Sequence, residues 1–409
     1  MNIKNYKFRI IEFLYLLLGV SLFTSKSGIT IFGLFLFIIS IVDSKTLHFL
    51  KKEKLIILLL FVYPLGAFLN IFSVGGVESS IQFLKNFSWV LFVLPTVFAL
   101  QYPKCRKSFF VGSFLGLVIA IGFSIYRFGS EFNFVFNNEH RIASFWDLSR
   151  WGTFTSSAIL VLFGFFLTDH FTVMNKWRKI ISILVLFLTC FSLILSQSRA
   201  PWVATVFGLV VILLLNHKAK LYALIFIPIL AVVLLMNPQF KDRIMSIGSV
   251  KIEEGKMTSR DLSNAGRLHM WKVAFDMFKE EPLWGIGFHN TESTLKKFLD
   301  HQGLEYQNKY IMSQFSFKDQ HSSYLASLVQ MGIFFFTFFW SLLFIVLIKG
   351  FRGFLKHKRI FTIICLALLI RYLVEFVFYS SYESYEMVLL VPVLVLLSIN
   401  PDSVSRGSL

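Results

Sequence analysis

The sequence predicts an all-α, polytopic membrane protein with about twelve transmembrane helices and one large helical loop on the outer side. Hydrophobic residues make up 56% of the 409 positions and charged residues only 15%, so the chain cannot cover a soluble globule with polar surface. The apolar residues run in continuous blocks long enough to cross the hydrocarbon core as helices, which takes about 17 to 25 residues. Strands of a membrane β-barrel would instead alternate apolar and polar residues, and this excludes a barrel.

The twelve apolar blocks fall into nine before a long polar stretch and three after it. They cover residues 9–24, 28–43, 55–74, 87–102, 108–128, 151–174, 180–197, 200–216, 221–238, 322–349, 360–381 and 382–400. Basic Lys4, Lys7 and Arg9 precede the first block, and no small-residue cleavage site follows it. We therefore expect a retained helix there rather than a cleaved signal peptide.

The net charge of +17 indicates orientation in a membrane rather than nucleic-acid binding, because the basic residues concentrate in alternate connections between the blocks. Such connections carry, for example, Lys51 and Lys52, Lys176 and Lys179, and Lys356. With these connections inside, both termini are predicted to be cytoplasmic. The three cysteines then lie at the cytoplasmic edge or within helices, so we expect no disulfide framework in the outer loops.

The predicted orientation divides the chain into a membrane part and one external module. The predicted units are transmembrane helices one to nine in 1–238, the external loop module in 239–321, transmembrane helices ten to twelve in 322–400, and a cytoplasmic tail in 401–409. A connection of roughly 80 residues is far longer than the usual loop. We therefore expect the module to carry its own structure and a function.

The module contains a predicted amphipathic helix that lies on the membrane or on the bundle. Its apolar face, by helical spacing, holds Leu268, Trp271, Phe275 and Phe278. Pro282 cannot continue this helix, and Gly285 and Gly287 are expected to turn the chain after it. A second short helix is predicted over 291–299.

Arg199 lies in the short turn 196–201 between two apolar blocks, which places its charge at a membrane surface. Such a charge is costly unless the guanidinium has an anionic partner. The planar fork of arginine matches phosphate oxygens and keeps its charge at any relevant pH. We interpret Arg199 as a functional phosphate ligand, and the alternative is a turn arginine that contacts a lipid headgroup.

Further candidates fall on the same predicted side of the membrane. They are Arg141, Arg150, Arg267, His140, His289 and His321. For Arg267, the alternative is a surface salt bridge with Asp261 or Glu254. Arg150 is better interpreted as an anchor at the end of the sixth helix.

His321 stands where the external loop returns to the membrane. Neutral imidazole is the usual general base near neutral pH, and the neighbouring Asp319 could orient it or raise its pKa. The alternative is a histidine at a helix start that only hydrogen-bonds lipid headgroups. Taken alone, His321 fits this alternative better than it fits catalysis.

No metal or cofactor is expected. The sequence contains neither an Asp-x-Asp pair nor a His-Glu-x-x-His spacing, and it has no nucleotide-binding glycine fingerprint. Any group transfer would therefore have to neutralise leaving-group charge with arginines.

Arg371 and Glu375 lie four positions apart within the eleventh predicted span, on one helix face. They can neutralise each other, which lowers the free energy of burying either. We interpret them as a structural pair. In the alternative interpretation, Arg371 faces the external cavity and helps to bind phosphate.

The order of several short motifs resembles the O-antigen ligase and polymerase superfamily. The motifs are Ser-Gln-Ser-Arg199-Ala in an outer turn, Ala265-Gly-Arg267-Leu-His-Met-Trp271, Pro282-Leu-Trp-Gly-Ile-Gly287 and His321-Ser-Ser-Tyr-Leu325 leading to Gly332. The family often has His-Asn at the loop exit, whereas this chain has His321-Ser322. A role for asparagine beside the base is therefore not carried over.

The resemblance implies a metal-independent, inverting glycosyltransferase at the periplasmic face of a bacterial inner membrane, active in lipopolysaccharide biosynthesis. Its donor would be a glycan on undecaprenyl pyrophosphate and its acceptor lipid A-core. By position in the motifs, Arg199 and Arg267 would bind the pyrophosphate, and His321 would take the acceptor proton. Arg141 resembles a further arginine that binds the pyrophosphate. Expected partners are these substrates and membrane lipids, with no nucleic acid.

Two other functions remain open. A polymerase of the same superfamily would join lipid-linked repeat units, and it shares the length and topology of a ligase. A flippase or other transporter of lipid-linked oligosaccharide would use the arginines only to hold its cargo. Transporters usually show duplicated halves and charged residues near the membrane midplane, and this chain has one clear midplane pair, Arg371 and Glu375. The ligase interpretation is preferred.

Overall fold

The structure is a computed structural model that describes residues 3–135, 140–216, 259–309, 320–382 and 385–399. All regular secondary structure in these ranges is helical. The predicted ninth span, 221–238, and the predicted tail, 401–409, lie outside the described residues, as does Asp319.

The described chain forms sixteen α-helices and one 3₁₀ segment, Phe87–Phe92. The helices are α1 (Ile3–Thr24), α2 (Lys26–Val42), α3 (Ser44–Lys52), α4 (Lys54–Asn70), α5 (Gly76–Asn86), α6 (Val93–Gln101), α7 (Pro103–Phe132), α8 (Leu148–Phe166), α9 (Asp169–Thr172), α10 (Lys176–Ser196), α11 (Arg199–Leu215), α12 (Ser259–Glu280), α13 (Thr291–Lys309), α14 (Ser323–His357), α15 (Ile360–Phe378) and α16 (Met387–Ser398). Each predicted apolar block within the described ranges overlaps at least one of these helices. The block 87–102 overlaps both the 3₁₀ segment and α6.

Five helical stretches are long and apolar enough to cross a bilayer, and the bent pair of α2 and α3 makes six if it counts as one span. The five are Gly76–Gln101, Pro103–Phe132, Lys176–Ser196, Ser323–His357 and Ile360–Phe378. Three further apolar helices, α4, α11 and α16, have only 10 to 17 residues. The prediction of a polytopic helical membrane protein is confirmed, whereas the number twelve stays a prediction.

Helices α1 and α7 pack with their backbones in contact at glycines. A Cβ atom on Gly19 would lie 2.4 Å from the carbonyl oxygen of Phe109, and one on Gly112 would lie 2.1 Å from that of Leu16. Small residues allow this approach, which is a common way to join helices in a membrane. Gly112 lies against Leu16, and Gly116, one turn further on, lies against Val20, so α1 and α7 are parallel.

This pairing defines two ends of the bundle. We call the end where α7 begins the basic end, because Lys104, Arg106 and Lys107 lie there. The end where α7 finishes is called the site end. At the site end, Arg127 of α7 donates to the carbonyl oxygen of Ala143 at 3.4 Å, which fixes the loop before α8.

The loop 282–288 enters a break in helix α14. The break lies at Gly332, whose φ of 70° and ψ of 178° are not helical. Ile286 N donates to the Val329 carbonyl at 2.9 Å, and Gly287 N donates to the Gln330 carbonyl at 3.0 Å. Backbone groups that the break removes from the helix are thus satisfied by the loop, and a buried backbone requires such partners.

The contact of loop 282–288 with the break in α14 is called the crossing. Two glycines make it possible. Gly285 has a φ of 74°, and a Cβ there would lie 2.6 Å from the Gln330 carbonyl oxygen. A Cβ on Gly332 would lie 2.2 Å from the Leu283 carbonyl oxygen. Gly287 also has positive φ, 98°, so the prediction that Gly285 and Gly287 turn the chain is confirmed.

Asn70 of helix α4 contacts both parts of the crossing. Asn70, only 1% exposed, accepts a hydrogen bond from Phe288 N at 3.0 Å through its Oδ1. Its Nδ2 donates to the Gly66 carbonyl at 2.9 Å and lies 3.0 Å from the sulfur of Met331. One buried amide therefore contacts both the entering loop and the broken helix.

The amphipathic helix predicted in the loop module is confirmed as α12, which ends two residues before Pro282. Leu268 and Phe275 of its predicted apolar face are 44% and 46% exposed, so the bundle does not bury them. The face that the bundle buries holds Met270, Val273, Ala274 and Met277. Val273, Ala274 and Met277 pack with Ile286, Phe298 and Val329 near the crossing. The second predicted helix is confirmed as α13.

The crossing predicts a graded series of glycine substitutions. Gly332→Ala adds a backbone clash to a conformation that costs about 1–3 kcal/mol for a residue other than glycine. Gly303 also has a positive φ, 81°, but a Cβ there would meet open space. Gly122 in α7 has no positive φ, and a Cβ there would meet open space too. We expect the temperature of half-unfolding in detergent to fall most for Gly332→Ala, less for Gly303→Ala and not for Gly122→Ala. Equal values for Gly332→Ala and Gly303→Ala would show that the close approach is unimportant.

Candidate functional site

Arg199 is the first residue of α11 and follows a sharp turn at the site end. Gln197 caps α10 in the left-handed conformation, with φ of 50°. The turn is fastened to the loop before α8, since Ile142 N donates to the Leu195 carbonyl at 3.0 Å and Gln197 Nε2 donates to the His140 carbonyl at 3.2 Å. These bonds hold the two loops side by side and bring Arg141 to Arg199.

Arg141 and Arg199 are close enough to repel each other. Burial lowers the pKa of Arg141, and the positive charge of Arg199 lowers it further. Arg141 is nevertheless exposed on one side, so an external ligand can reach it. Two converging guanidinium groups form a site for an anion with more than one negative charge.

The neighbouring His140 has its ring held by other contacts. Its ring is stacked on Phe132 with centroids 4.1 Å apart. Its Nδ1 lies 3.0 Å from the Val135 carbonyl oxygen. These contacts give His140 a role in shaping the loop that presents Arg141.

His321 stands directly before α14 and has a φ of 50°. The left-handed conformation is common at helix C-caps, as at Gln197, but His321 is not at one. Such a conformation costs about 1–3 kcal/mol and persists only where the surroundings fix it. Trp271 Nε1 donates to the Gln320 carbonyl at 3.1 Å, and Ser322 N donates to Ser380 Oγ at 3.0 Å. His321 is therefore anchored on both sides.

A buried network of side-chain hydrogen bonds also holds the segment around His321 in place. Gln320 Nε2 and Gln330 Nε2 both donate to Thr291 Oγ1, at 3.2 Å and 3.3 Å. Tyr382 donates its hydroxyl proton to Gln330 Oε1 at 3.0 Å. The network joins the start of α13, the first turns of α14 and the loop after α15, and it is buried throughout.

Arg267 belongs to the same half of the site as His321. It lies one helical turn before Trp271 on α12, and Trp271 contacts the residue before His321. The site end thus presents two groups, one with Arg141 and Arg199 and the other with Arg267 and His321. The side chains of Asp261 and Glu254, the alternative partners of Arg267, lie outside the structure's description, so that alternative stays open.

The start of α8 lies between the two groups. A Cβ on Gly152 would lie 2.8 Å from Cγ of Pro201 and 3.2 Å from Cβ of Ser198, so α8 packs directly on the turn that holds Arg199. On its other side, α8 faces the loop after α15, which binds Ser322 through Ser380. Both groups are therefore attached to one helix end.

Arg150 in the first turn of α8 neutralises a buried carboxylate. Its Nε donates to Glu386 Oε2 at 3.2 Å, and Nη1 donates to Asp147 Oδ2 at 2.6 Å. Glu386 is fully buried at the start of α16. Burial raises the pKa of the nearby Tyr379, and the negative charge of Glu386 acts in the same direction. This geometry agrees with an anchoring role for Arg150.

Sequence reasoning overlooked Asp147, Tyr379 and Glu386. The available signal was Arg150 itself, because a charge at a helix end buried in a bundle needs a counter-charge. Glu386 was included in the predicted span 382–400, whereas the helix begins after it, at Met387.

His289 is exposed, with a φ of 59°, beside Phe288. Among the described residues, no three His, Cys, Asp or Glu side chains are grouped to hold a metal ion.

Arg371 and Glu375 form a buried ion pair beneath the site, with Nη2 and Oε2 2.5 Å apart and both side chains at most 1% exposed. Arg371 Nε donates to Ser156 Oγ at 2.9 Å, and Thr153 of α8 donates to Glu375 Oε1 at 2.6 Å. Thr205 of α11 donates to Ser156 Oγ at 2.7 Å. The pair thus connects α15 with α8 and α11.

The middle of the chain matches a known protein family. The family model described as O-antigen ligase matches residues 183–340. The match covers less than half of the chain and includes Arg199, Arg267, His321 and the crossing at Gly332. The resemblance to the O-antigen ligase and polymerase superfamily is confirmed. No curated protein matches the chain.

The buried pair predicts a non-additive effect on stability. Arg371→Met or Glu375→Gln alone leaves a buried group without its partner, which typically costs about 3–5 kcal/mol. The double variant Arg371→Met/Glu375→Leu should recover most of that loss in thermal unfolding. Lys279→Met is the control, because it breaks an i,i+3 pair with Asp276 whose side chains are 60% and 24% exposed and should cost at most about 1 kcal/mol. Single variants as stable as the control would contradict a structural role.

Proposed function

Because residues 183–340 match the O-antigen ligase family, we propose that this protein is a glycosyltransferase of lipopolysaccharide biosynthesis. In this proposal it transfers O-antigen or a similar glycan from undecaprenyl pyrophosphate to lipid A-core. The observation that carries the proposal is the convergence of Arg141 and Arg199 at one end of an apolar bundle, inside or beside the matched segment. A pyrophosphate on a lipid is the ligand that such a pair suits.

The proposed reaction is a direct displacement. The oxygen of an acceptor hydroxyl attacks the anomeric carbon of the glycan, and the bond from that carbon to the pyrophosphate oxygen breaks. Arg199 and Arg267, with Arg141, stabilise the negative charge that develops on the leaving undecaprenyl pyrophosphate. His321 accepts the proton of the acceptor hydroxyl, and the anomeric configuration inverts. The arginines carry the role that a divalent cation has in other glycosyl transfers.

The anchoring of His321 supports its role as a base. A base must hold its position within hydrogen-bond reach of the acceptor hydroxyl, and its neighbours Gln320 and Ser322 are both fixed by buried hydrogen bonds. The left-handed backbone there is a local strain of the kind that clusters at active sites. Asp319 is proposed to orient the imidazole.

The proposed location follows from the distribution of charge. The basic end of the bundle would face the cytoplasm with both termini, and the site end would face the periplasm across the bacterial inner membrane. In this arrangement twelve spans surround the loop module 239–321, with membrane helices in 1–238 and 322–400 and a tail in 401–409. The lipid-linked donor would enter from the membrane, and the acceptor would reach His321 beneath α12 and α13.

We predict that Arg199→Ala, Arg267→Ala and His321→Ala each reduce glycan transfer by the purified protein about 10²-fold or more. Lys279→Ala is the matched control, because Lys279 is a basic residue of α12 like Arg267 but is 60% exposed and paired with Asp276 at 2.8 Å. It should keep the parent rate. Size-exclusion profiles must match the parent for each variant. Transfer at the parent rate by any of the three would remove that residue from the mechanism.

The same assay tests the role of metal. Transfer should continue in a chelator, because the arginines neutralise the leaving group. Activity that is lost in chelator and restored by a divalent ion would overturn the arginine mechanism while leaving the transferase assignment intact.

A polymerase is the second candidate function, because the matched superfamily includes enzymes that join lipid-linked repeat units. The two reactions share the donor and differ in the acceptor. Deleting the gene and examining the surface polysaccharide separates them. We expect core without polymer, which indicates a ligase, whereas core that carries a single repeat unit would indicate a polymerase.

A further inference from the structure

An apolar cleft with a cavity volume of about 160 Å³ opens between the helices at the basic end. Five helices line it, α1, α6, α7, α15 and α16, together with Phe92 of the 3₁₀ segment. Its polar wall groups are almost all satisfied within the protein: the Tyr15 hydroxyl donates to the Pro95 carbonyl at 2.6 Å, and Thr96 Oγ1 donates to the Phe92 carbonyl at 2.8 Å. The exception is Arg106.

Arg106 has a guanidinium nitrogen that is buried in the cleft wall, and this Nη1 makes no hydrogen bond in the part of the chain that the structure describes. Asp43, which caps α3, accepts a hydrogen bond from the Tyr102 hydroxyl at 2.8 Å. The rest of the Arg106 side chain is partly exposed at the mouth of the cleft. Because arginine stays protonated, burying part of a guanidinium in an apolar wall is unfavourable unless a ligand supplies hydrogen bonds and negative charge.

The position of Arg106 along α7 indicates which membrane surface it meets. Arg127 lies about 31 Å further along the helix at 1.5 Å per residue, next to the loop that carries Arg141. This distance is close to the thickness of the hydrocarbon core, about 30 Å. Arg106 is therefore at the membrane surface opposite the candidate site, where exposed Lys104 and Lys107 add positive charge.

A second apolar cleft lies beside the first. It has a cavity volume of about 170 Å³, lies along α2 and α16, and shares the wall residues Phe92 and Val388 with the first cleft. The Phe92 ring packs against Gly33, where a Cβ would lie 2.2 Å from its Cζ. Both clefts present apolar walls against which acyl chains can pack.

We propose that this cleft binds one anionic glycerophospholipid, separately from glycosyl transfer. The headgroup phosphate accepts hydrogen bonds from Arg106, and the acyl chains lie along the apolar wall formed by α1, α6 and α16. An anionic lipid suits the site better than a zwitterionic one, because the neighbouring lysines raise the positive potential at that surface. The lipid phosphate supplies the hydrogen-bond acceptor that Nη1 of Arg106 does not find among the described residues.

The test measures lipid retention by the full chain in detergent, using native mass spectrometry with added phosphatidylglycerol, phosphatidylcholine or inorganic phosphate. We expect one phosphatidylglycerol per protein, weaker retention of phosphatidylcholine, and no displacement by inorganic phosphate. Arg106→Gln should weaken phosphatidylglycerol retention about tenfold, as expected for a lost hydrogen bond to a charged group. Lys107→Gln, which removes only an exposed charge one residue away, should weaken retention clearly less than Arg106→Gln does.

A second variant keeps the test decisive if Arg106→Gln does not fold. Ala99→Trp fills the cleft with a ring while leaving Arg106 in place, and it should also lose the lipid. Equal retention by Arg106→Gln and Lys107→Gln would overturn the proposal, and so would displacement by inorganic phosphate alone. If the parent protein is a dimer and Ala99→Trp dissociates it, a second copy of the chain covers the cleft, and this result would also overturn the proposal.

Discussion

The crossing of the loop 282–288 with the broken helix α14 is the constraint on which the rest of the candidate site depends. Helix α12, with Arg267 and Trp271, leads directly into this loop, and His321 precedes the helix that it enters. The crossing is built from backbone hydrogen bonds, such as Ile333 N to the Pro282 carbonyl at 2.9 Å. A loop module that would otherwise be attached only at its two ends is thus fixed against the membrane helices. Precise placement of a base and an arginine requires such support.

Charge is distributed unequally between the buried parts of the bundle and its site end. The two fully buried carboxylates, Glu375 and Glu386, each lie beside an arginine of the scaffold. At the site end, the positive charge of Arg199 lowers the pKa of Arg141. In the proposed function, a polyanionic ligand would reduce this repulsion. Binding of such a ligand and stability of the fold are therefore linked, since any ligand that prefers the folded state stabilises it.

Local patterns in the sequence predicted the local structure. The end of α12 before Pro282 and the turns at Gly285 and Gly287 follow from the properties of single residues, and both are confirmed. The face of α12 that the bundle buries was not predicted, because burial depends on what the helix packs against. The partners, Ile286 and Val329, come together only through the crossing.

Contacts between distant residues explain most of what the sequence left undetermined. The carboxylate that neutralises Arg150 is Glu386, and the break in α14 at Gly332 is filled by a segment from the loop module. Neither pairing has a signature in a local pattern. The convergence of Arg141 and Arg199 is similar, since only the bonds between the two loops bring them together. Their shared side of the membrane was predictable from charge, whereas their proximity was not.

The parallel pairing of α1 with α7 has a consequence for how the protein is made. Gly19 and Gly112 meet in the folded bundle but are 93 positions apart in the sequence. At synthesis rates of about 5–20 residues per second, roughly 5 to 20 seconds separate their emergence from the ribosome. Throughout that interval the glycine surface of α1 lacks the helix that covers it. Lipid or the insertion machinery must therefore occupy this surface until α7 enters the membrane and replaces it.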